Sequence, residues 1–447
     1  MNNFDKVINL MIRRGFIFQS YEIYGGLRGF YDFGHLGVLL KNNIKKFWLD
    51  FILKENNIYL LETPIITKSS VLEASGHLEN FYDLLVECKS CHNRFRYDHY
   101  LDGEYGLVRK INENFLCPLC DGQLTEPKKF NLMFKTYVGP VEETSNQAFL
   151  RPETAQGIFV NFDKYIKIYR AQLPFGIAQI GKAFRNEITP KNFIFRIREF
   201  EQMEIEYFIH PDDKFDWVNY WLEKSLHWYI NILGFRKENI IIYEQPKEEL
   251  AHYSNKTIDI CYKFPFGNGE IQGIAHRGNY DLLSHIKFSN KDLSYFDQNN
   301  NKKIIPYVIE PSWGVERLFL ALFYEVYDED EVDNEKRIIL KFPPYIAPIK
   351  IAVFPLVSNK EILIKKSKEV YNYLKKYYSE IIYDENGSIG KRYRRQDEIG
   401  TPFCLTVDFR SLEDNSFTVR DRDTTKQERI NFNELLDYFK NKLKFKN

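Results

Sequence analysis

Residues 177–208 read IAQIGKAFRNEITPKNFIFRIREFEQMEIEYF, and their alternation decides the fold. In a first strand, period two sets Gln179, Arg185 and Glu187 on one face and Ile180, Lys182, Phe184 and Asn186 on the other. In a second, Phe200, Gln202, Glu204 and Glu206 share a face, opposite Met203, Ile205 and Tyr207. A loop rich in Arg and Phe joins them. A solvent-exposed sheet is the plainer reading, yet glutamate has low β propensity and exposed strands seldom carry it at this density. The pattern therefore predicts two long adjacent strands lining a polar site with carboxylates, an arginine and an aromatic ring.

The rest of the chain supplies the frame. Its 447 residues suffice for two or three domains, and 44% apolar with 16% aromatic content indicates a folded protein. Formal net charge is zero, which argues against a chain coated in basic charge but not against a local nucleic-acid patch. The last hundred residues, 348–447, hold 20 Lys+Arg against 15 Asp+Glu, whereas the remainder holds 42 against 47. There is no apolar run long enough to span a membrane. The start, MNNFDKVINLMIRRGF, has Asp5 and a broken apolar pattern, which argues against a secretory signal. Six cysteines without such a signal suit a reducing compartment, and the cytoplasm is expected.

In chain order, a Gly-punctuated aromatic segment (Gly25, Gly26, Gly29, Gly34, Gly37) precedes a helix over 36–54 with Leu40, Ile44, Phe47, Trp48, Phe51 and Ile52 on one face. A strand, IYLLETPII, follows and carries Pro64, the mark of an edge or a sheet end. Cys88-x-x-Cys91 and Cys117-x-x-Cys120 form two complete knuckles, whose four thiolates can close a tetrahedron around Zn²⁺; disulfides or free thiols are the alternatives. Thr154 to Phe162 reads as a helix start. Gly176 to Lys182 imitates a P-loop, but Ala183 replaces the required Ser/Thr and a strand follows instead of a helix. Residues 211–250 have helical spacing through Phe215, Val218, Trp221 and Leu222 and predict an accessory helical pair. PFGNGEIQGIAHRGNYDL (265–282) gives a strand and turn, and in PYVIEPSWGVERLFLALF (306–323) Gly314 opens an amphipathic helix after a strand. Beyond FPPYIAPIK the continuous apolar run IKIAVFPLV, a helix, a basic segment, two strands and a final helix predict a separate α/β domain.

Several of these stretches together carry a resemblance. FRNEITPKNFIFRIREFEQMEIEYF resembles motif 2 of class II aminoacyl-tRNA synthetases in the form found in homodimeric glycyl-tRNA synthetases. RPETAQG (151–157), EPSWG (310–314), the Gly-x-x-Arg that ends at Arg317, and GSIGKRYRRQDEIGTPF resemble further segments of that family, so the likeness spans nearly the whole chain. The resemblance implies an α+β fold: an antiparallel-sheet catalytic domain over 1–345 with a zinc-knuckle insertion near 84–128, then an anticodon-binding domain over 346–447. The helix before Pro64 is similar to motif 1, which would make the protein a homodimer, although an ordinary core helix reads as well.

The same resemblance implies a glycine–tRNA ligase, with ATP, Mg²⁺, glycine and tRNA(Gly) as its ligands and no membrane partner. It places ATP against Arg185, Asn186, Glu187, Phe195, Arg196, Ile197, Arg198, Glu199, Phe200, Glu270, Ile271, Gly314, Val315, Glu316 and Arg317. Arg185, Glu187 and Arg317 are the catalytic set. Glycine falls to Arg96, Glu153, Phe200, Glu201, Gln202, Met203, Glu204, Glu310, Pro311, Ser312, Trp313 and Gly314. Zinc falls to Cys88, Cys91, Cys117 and Cys120. Lys391, Arg392, Arg394 and Arg395 would neutralise tRNA phosphates, with a solvated charged face as the bland alternative. A synthetase for another amino acid and a tRNA-binding protein that has lost catalysis are the rival readings. RPETAQG and EPSWG argue against the first, and the presence of both motif arginines against the second.

Overall fold

The computed structural model describes residues 3–55, 57–103, 105–106, 108–111, 114–251, 253–332 and 334–445. Its centre is a seven-stranded sheet of β1 (Ile58–Leu60), β2 (Phe175–Phe184), β3 (Glu199–Ile209), β4 (Ile240–Glu244), β5 (Lys256–Phe264), β6 (Gly267–Gly278) and β7 (Tyr307–Gly314). In space the order is β4-β5-β6-β7-β3-β2-β1, antiparallel except where short β1 runs parallel to β2. The alternation read in 177–208 thus resolves into two paired strands with Gln179 opposite Glu204 and Ala183 opposite Phe200.

The sheet has two unlike faces. On one, Met203, Ile205, Ile309 and Trp313 join the main core with Leu40, Ile44 and Trp48 of helix His35–Ile52 and Phe319 of helix Val315–Val326. Trp48 meets Trp313 edge to face at 5.5 Å. The helix at 35–52 forms where expected because its apolar residues recur at three and four positions, so one stripe faces the sheet. The opposite face keeps the polar members of the same strands.

Two expected elements differ. IYLLETPII is not one strand: Ile58–Leu60 pairs with β2, whereas Ile66–Lys68 pairs with Gln147–Leu150 in a separate three-stranded sheet. Pro64 lies between them and has no N–H to continue a ladder. Across 211–250 there is one α-helix, Trp217–His227, prolonged by a π-helical turn at Trp228–Ile232, and beyond it only a single 3-10 turn at Lys237–Asn239, not a helical pair. The second half, Ile240–Glu244, is the edge strand β4, as the β-branched run IIIYE favours.

Toward the C-terminus a second sheet contains β8 (Ile351–Pro355), β9 (Ile381–Tyr383), β10 (Phe403–Val407), β11 (Ser416–Asp421) and β12 (Gln427–Asn431), ordered β9-β8-β10-β11-β12. Leu363, Val370 and Leu374 of helix Glu361–Lys375 and Phe439 of helix Leu435–Leu443 cover one face. Ile389 and Tyr393 of helix Ile389–Ile399 pack on Ala352, Phe354 and Cys404 on the other. Covering on both sides explains the continuous apolar run of β8. The basic segment is itself this helix, and β9 and β12 are strands that the sequence reading left unassigned. Ile346, Ala347 and Ile349, just before β8, pack into the larger core. Among the described residues no helix is long and apolar enough to cross a membrane.

Candidate active site

The polar face of the central sheet is laid out by register. Gln179 of β2 stands opposite Glu204 of β3, Glu204 opposite Ser312 of β7, Ser312 opposite Gly273 of β6, and Gly273 opposite Asp259 of β5. Residues directly opposite in a ladder point to the same side, so five strands contribute one transverse row. Gly273 supplies no side chain, and a Cβ there would come within 3.6 Å of Asp259 Oδ1 and 3.7 Å of Glu270 Oε1. Glu204, Ser312, Gly273 and Asp259 of this row floor a cleft of about 260 Å³, lined also by Glu153, Arg185, Glu187, Phe195, Arg196, Phe200, Glu310 and Arg317, while Gln179 is buried beneath Thr154.

One end of the cleft is acidic and closed. The loop at 151–154, which runs into helix Ala155–Phe159, is stitched to the sheet: Thr154 N donates to Gln202 Oε1 (3.2 Å), Gln179 Nε2 donates to Thr154 O (3.0 Å), and the Thr154 hydroxyl donates to Glu204. Gln202 Nε2 donates to Glu204 Oε1 (3.3 Å) and Ser312 Oγ (3.4 Å). Arg151 fills the space over Gly181, where a Cβ would collide with its guanidinium. Behind this loop the buried Arg277 guanidinium donates to Asp281 (2.8 and 2.9 Å) and Glu310, and lies 3.8 Å from Glu153. Although burial works the other way, His77 at 3.5 Å and Arg277 hold the Glu153 carboxyl well below the usual range. Burial, reinforced by Glu153, raises Glu204.

The other end carries three arginines, two of them paired with carboxylates. The Arg185 guanidinium lies between the Phe81 and Phe200 rings at 5.5 and 5.3 Å, and its Nε donates to Pro152 O (3.2 Å). Arg196 Nε donates to Glu187 Oε2 at 2.9 Å. Arg317 lies over the Phe195 ring at 4.7 Å and donates to Glu270 Oε2 at 2.9 Å. Arg198 N donates to Gly29 O at 2.9 Å, and a Cβ at Gly29 would meet Pro190 Cγ at 2.7 Å, so the N-terminal Gly-rich segment braces the Arg-rich loop. Asp259 is pushed up to about 6 by burial and by the neighbouring Glu270.

Several expected contacts fall elsewhere, chiefly because strand alternation sends them to the far face. Glu199 pairs with Lys182 (2.9 Å), Glu201 with Lys41 (2.5 Å), and Met203 and Trp313 lie in the core. Pro311 stands in register with core residue Ile274; Ile271 and Val315 are also in the core. These side chains do not reach the cleft. Asn186 N donates to Leu132 O, and Arg198 donates to the Arg28 and Glu187 carbonyls, so both brace the loop. Ile197 and Gly314 reach the cleft wall, and Glu316 reaches its edge while binding Lys41 at 2.7 Å. Arg96 lies outside the cleft lining, held by Asp98 (2.7 Å) and Asp83 (3.4 Å). Conversely, Gln245, Tyr253, Thr257 and Asp259 line the cleft and were not foreseen.

The two cysteine knuckles meet. The sulfur of Cys88 lies 3.5 Å from that of Cys120, Cys91 lies 3.6 Å from Cys117, and all four sulfurs lie within 4.8 Å of one another. Backbone N–H groups of Ser90 and Cys91 point at Cys88 Sγ, and that of Leu119 at Cys117 Sγ, each at 3.4 Å. Zn–S bonds of about 2.3 Å set tetrahedral S···S edges near 3.8 Å, so the donor set fits zinc.

In the C-terminal α/β unit, Lys391, Arg394 and Arg395 line a groove with Arg420. Arg395 is tied to Asp384 at 2.6 Å and Arg394 lies 3.5 Å from Glu335. Arg392 does not join them: it is 1% exposed and donates to the Pro355 and Leu356 carbonyls. It sits on the face of its helix that packs on β8, so it braces the sheet and is no phosphate contact.

An antiparallel sheet with a cleft of this make-up, closed by an Arg-bearing loop and a helix-borne arginine, defines a class II aminoacyl-tRNA synthetase core. The family model "tRNA synthetase class II core domain (G, H, P, S and T)" matches residues 134–327, and "Anticodon binding domain" matches residues 350–442. The chain belongs to the glycine–tRNA ligase family. It is 49% identical to the glycine–tRNA ligase of Thermobifida fusca, over 98% of each chain. It is 49% identical to that of Caldanaerobacter subterraneus subsp. tengcongensis (99% of this chain, 98% of the relative) and 48% identical to that of Borrelia hermsii (99% and 98%).

Proposed function

We propose that the protein activates glycine with ATP, forming glycyl-adenylate and pyrophosphate, and then transfers the glycyl group to the 3′ end of tRNA(Gly). The observation that carries this reading is the cleft itself: a closed carboxylate end joined across one sheet face to an arginine end. Attack of the glycine carboxylate on the α-phosphate builds negative charge there, and catalysis consists of positioning and neutralising it. Arg185, held between two rings, bridges the α-phosphate and the carboxylate. Phe200 and Arg317 bracket the adenine, Glu187 accepts from its amino group, and Arg196 holds the distal phosphates. Glu270 and Asp259 converge at Gly273, a hard oxygen-donor pair that fits Mg²⁺.

Glycine offers only an ammonium, a carboxylate and the absence of a methyl group. Glu153, Glu204 and Glu310 face the ammonium, and Ser312 with the packed 151–157 segment forms the wall against Cβ. Nothing smaller than glycine competes, so rejection by clash suffices and no editing site is needed. Pyrophosphate exchange tested with glycine, alanine, serine and proline should proceed with glycine alone. Exchange with another amino acid would overturn the specificity, and none from folded protein would favour the tRNA-binding alternative.

The chain works in the cytoplasm as a homodimer, divided into a catalytic domain over 1–345 and an anticodon-binding domain over 346–447. Lys391, Arg394 and Arg395 face the tRNA backbone. Zinc held by Cys88, Cys91, Cys117 and Cys120 is structural: it ties together an insertion whose own core is small, with Val86, Phe95, Tyr100 and Leu124 buried beside Cys88 and Cys117. Cys117→Ser should therefore yield protein without its metal and with a protease-sensitive insertion, as elemental analysis and limited proteolysis will read. Wild-type protein free of zinc would refute the assignment.

A further inference from the structure

Glu206 lies one strand repeat beyond Glu204 on the cleft face of β3 and is fully buried. The β3–β7 register, with Glu204 opposite Ser312 and Tyr207 opposite Ile309, brings Glu206 abreast of Glu310. One carboxyl oxygen from each of Glu204, Glu206 and Glu310 lies within 4.8 Å of the others. Neither oxygen of Glu206 has a hydrogen-bond partner among the described residues. Two ionised carboxylates side by side in a ladder repel, and a desolvated carboxylate without a donor is costly, so this arrangement is stable only with a proton in it.

The charged and titratable groups around it determine where that proton sits. Arg277 on β6 is occupied by Asp281 of helix Tyr280–Ser289 and by Glu310, and Tyr253 lies over its guanidinium at 3.7 Å. Glu153 has His77 and Arg277, and Glu204 accepts from Thr154 and Gln202. Of these carboxylates, Glu206 alone finds no donor among the described residues. Burial first, and Glu310 second, push its carboxyl well above the usual range; burial likewise carries Glu310 up to about 8 although Arg277 pulls the other way.

We infer that Glu206 is a positioning residue that keeps the empty amino-acid pocket protonated, and that the ammonium group of glycine displaces this proton on binding. The inference rests on the assignment of the glycine pocket to Glu153, Glu204 and Glu310. The exchange balances in charge: one ammonium enters beside the three carboxylates and one proton leaves to solvent. The sign follows. A group protonated in the free protein and ionised in the complex makes affinity rise with pH, so the glycine KM should fall by up to about tenfold per pH unit from neutrality upward, until the trio is ionised or the ammonium itself titrates.

Calorimetric titration of the full-length protein with glycine, in buffers of different ionisation enthalpy, counts the protons released per glycine bound. Wild type should release a substantial fraction of one. Glu206→Gln should release a clearly smaller fraction, what remains coming from Glu310, and should flatten the pH dependence of the glycine KM in pyrophosphate exchange. A wild-type count of zero, or an undiminished count in Glu206→Gln, overturns the inference. Should the variant fail to fold, wild-type infrared difference spectra still decide: a protonated-carboxyl band must disappear when glycine is added, and its absence refutes the idea. Glu204→Gln separates the two layers, because an unchanged glycine KM there would refute the pocket itself whatever Glu206 does.

Discussion

Arg185→Ala should lower glycine-dependent pyrophosphate exchange by about 10²-fold or more, the scale of losing one preorganised charge donor. The side chain is prepositioned: its head lies between Phe81 and Phe200 and is tied to Pro152 O. Little reorganisation is then needed as charge develops on the α-phosphate. Arg185→Lys should recover only a small part of the loss, because an ammonium cannot stack between two rings while presenting a planar fork to two oxygens. The glycine KM should rise together with the fall in kcat, since the proposed role has the same group touch both reactants. Near-normal exchange in Arg185→Ala would refute its role.

Arg277→Met should destabilise the protein by about 3–5 kcal/mol, the usual result of removing one partner from a buried ionic cluster. The guanidinium is 1% exposed and contacts Asp281 and Glu310, with Glu153 at 3.8 Å. Its loss leaves three buried carboxylates without their shared cation. Each would favour protonation, so the variant should be least impaired at acidic pH and worsen as pH rises. Urea unfolding at two pH values measures this; a loss below about 1 kcal/mol at both would show that the cluster relaxes around the vacancy.

The cleft side of β3 was legible because alternation alone separates Phe200, Gln202 and Glu204 from Met203 and Ile205. The same logic fails on β6. Glu270 and Gln272 share parity, yet Glu270 lines the cleft whereas Gln272 donates to Ser225 on the helical side. The register shift between Ile260 and Cys261 of β5 absorbs an extra residue of β6 and turns the strand over. Asp259 was missed for a different reason: its strand KTIDICYKF alternates cleanly, with Thr257, Asp259 and Cys261 opposite Ile258, Ile260 and Tyr262, but it carries no motif that marks the polar face as part of a site. Motif-adjacent residues such as Glu201 and Trp313 were assigned by neighbourhood, where only every second side chain reaches the ligand side. Arg392 shows the corresponding limit for a helix: a run of basic residues does not reveal which one faces inward. The Pro64 break was visible as a proline, but which sheet each half joins depends on partners far along the chain.

The transverse row of Gln179, Glu204, Ser312, Gly273 and Asp259 also bears on how the chain reaches its native state. Its members come from five strands, and Gln179 and Ser312 are far apart in sequence although only one strand separates them in space. Such pairings close long loops before they gain any contact energy, which makes the sheet a late and slow event in folding. No fragment ending before Ser312 contains the floor of the cleft. Adenylate-forming activity should therefore appear during refolding as a single late step, together with burial of Trp313, and a nascent chain should acquire it only after β7 has been made.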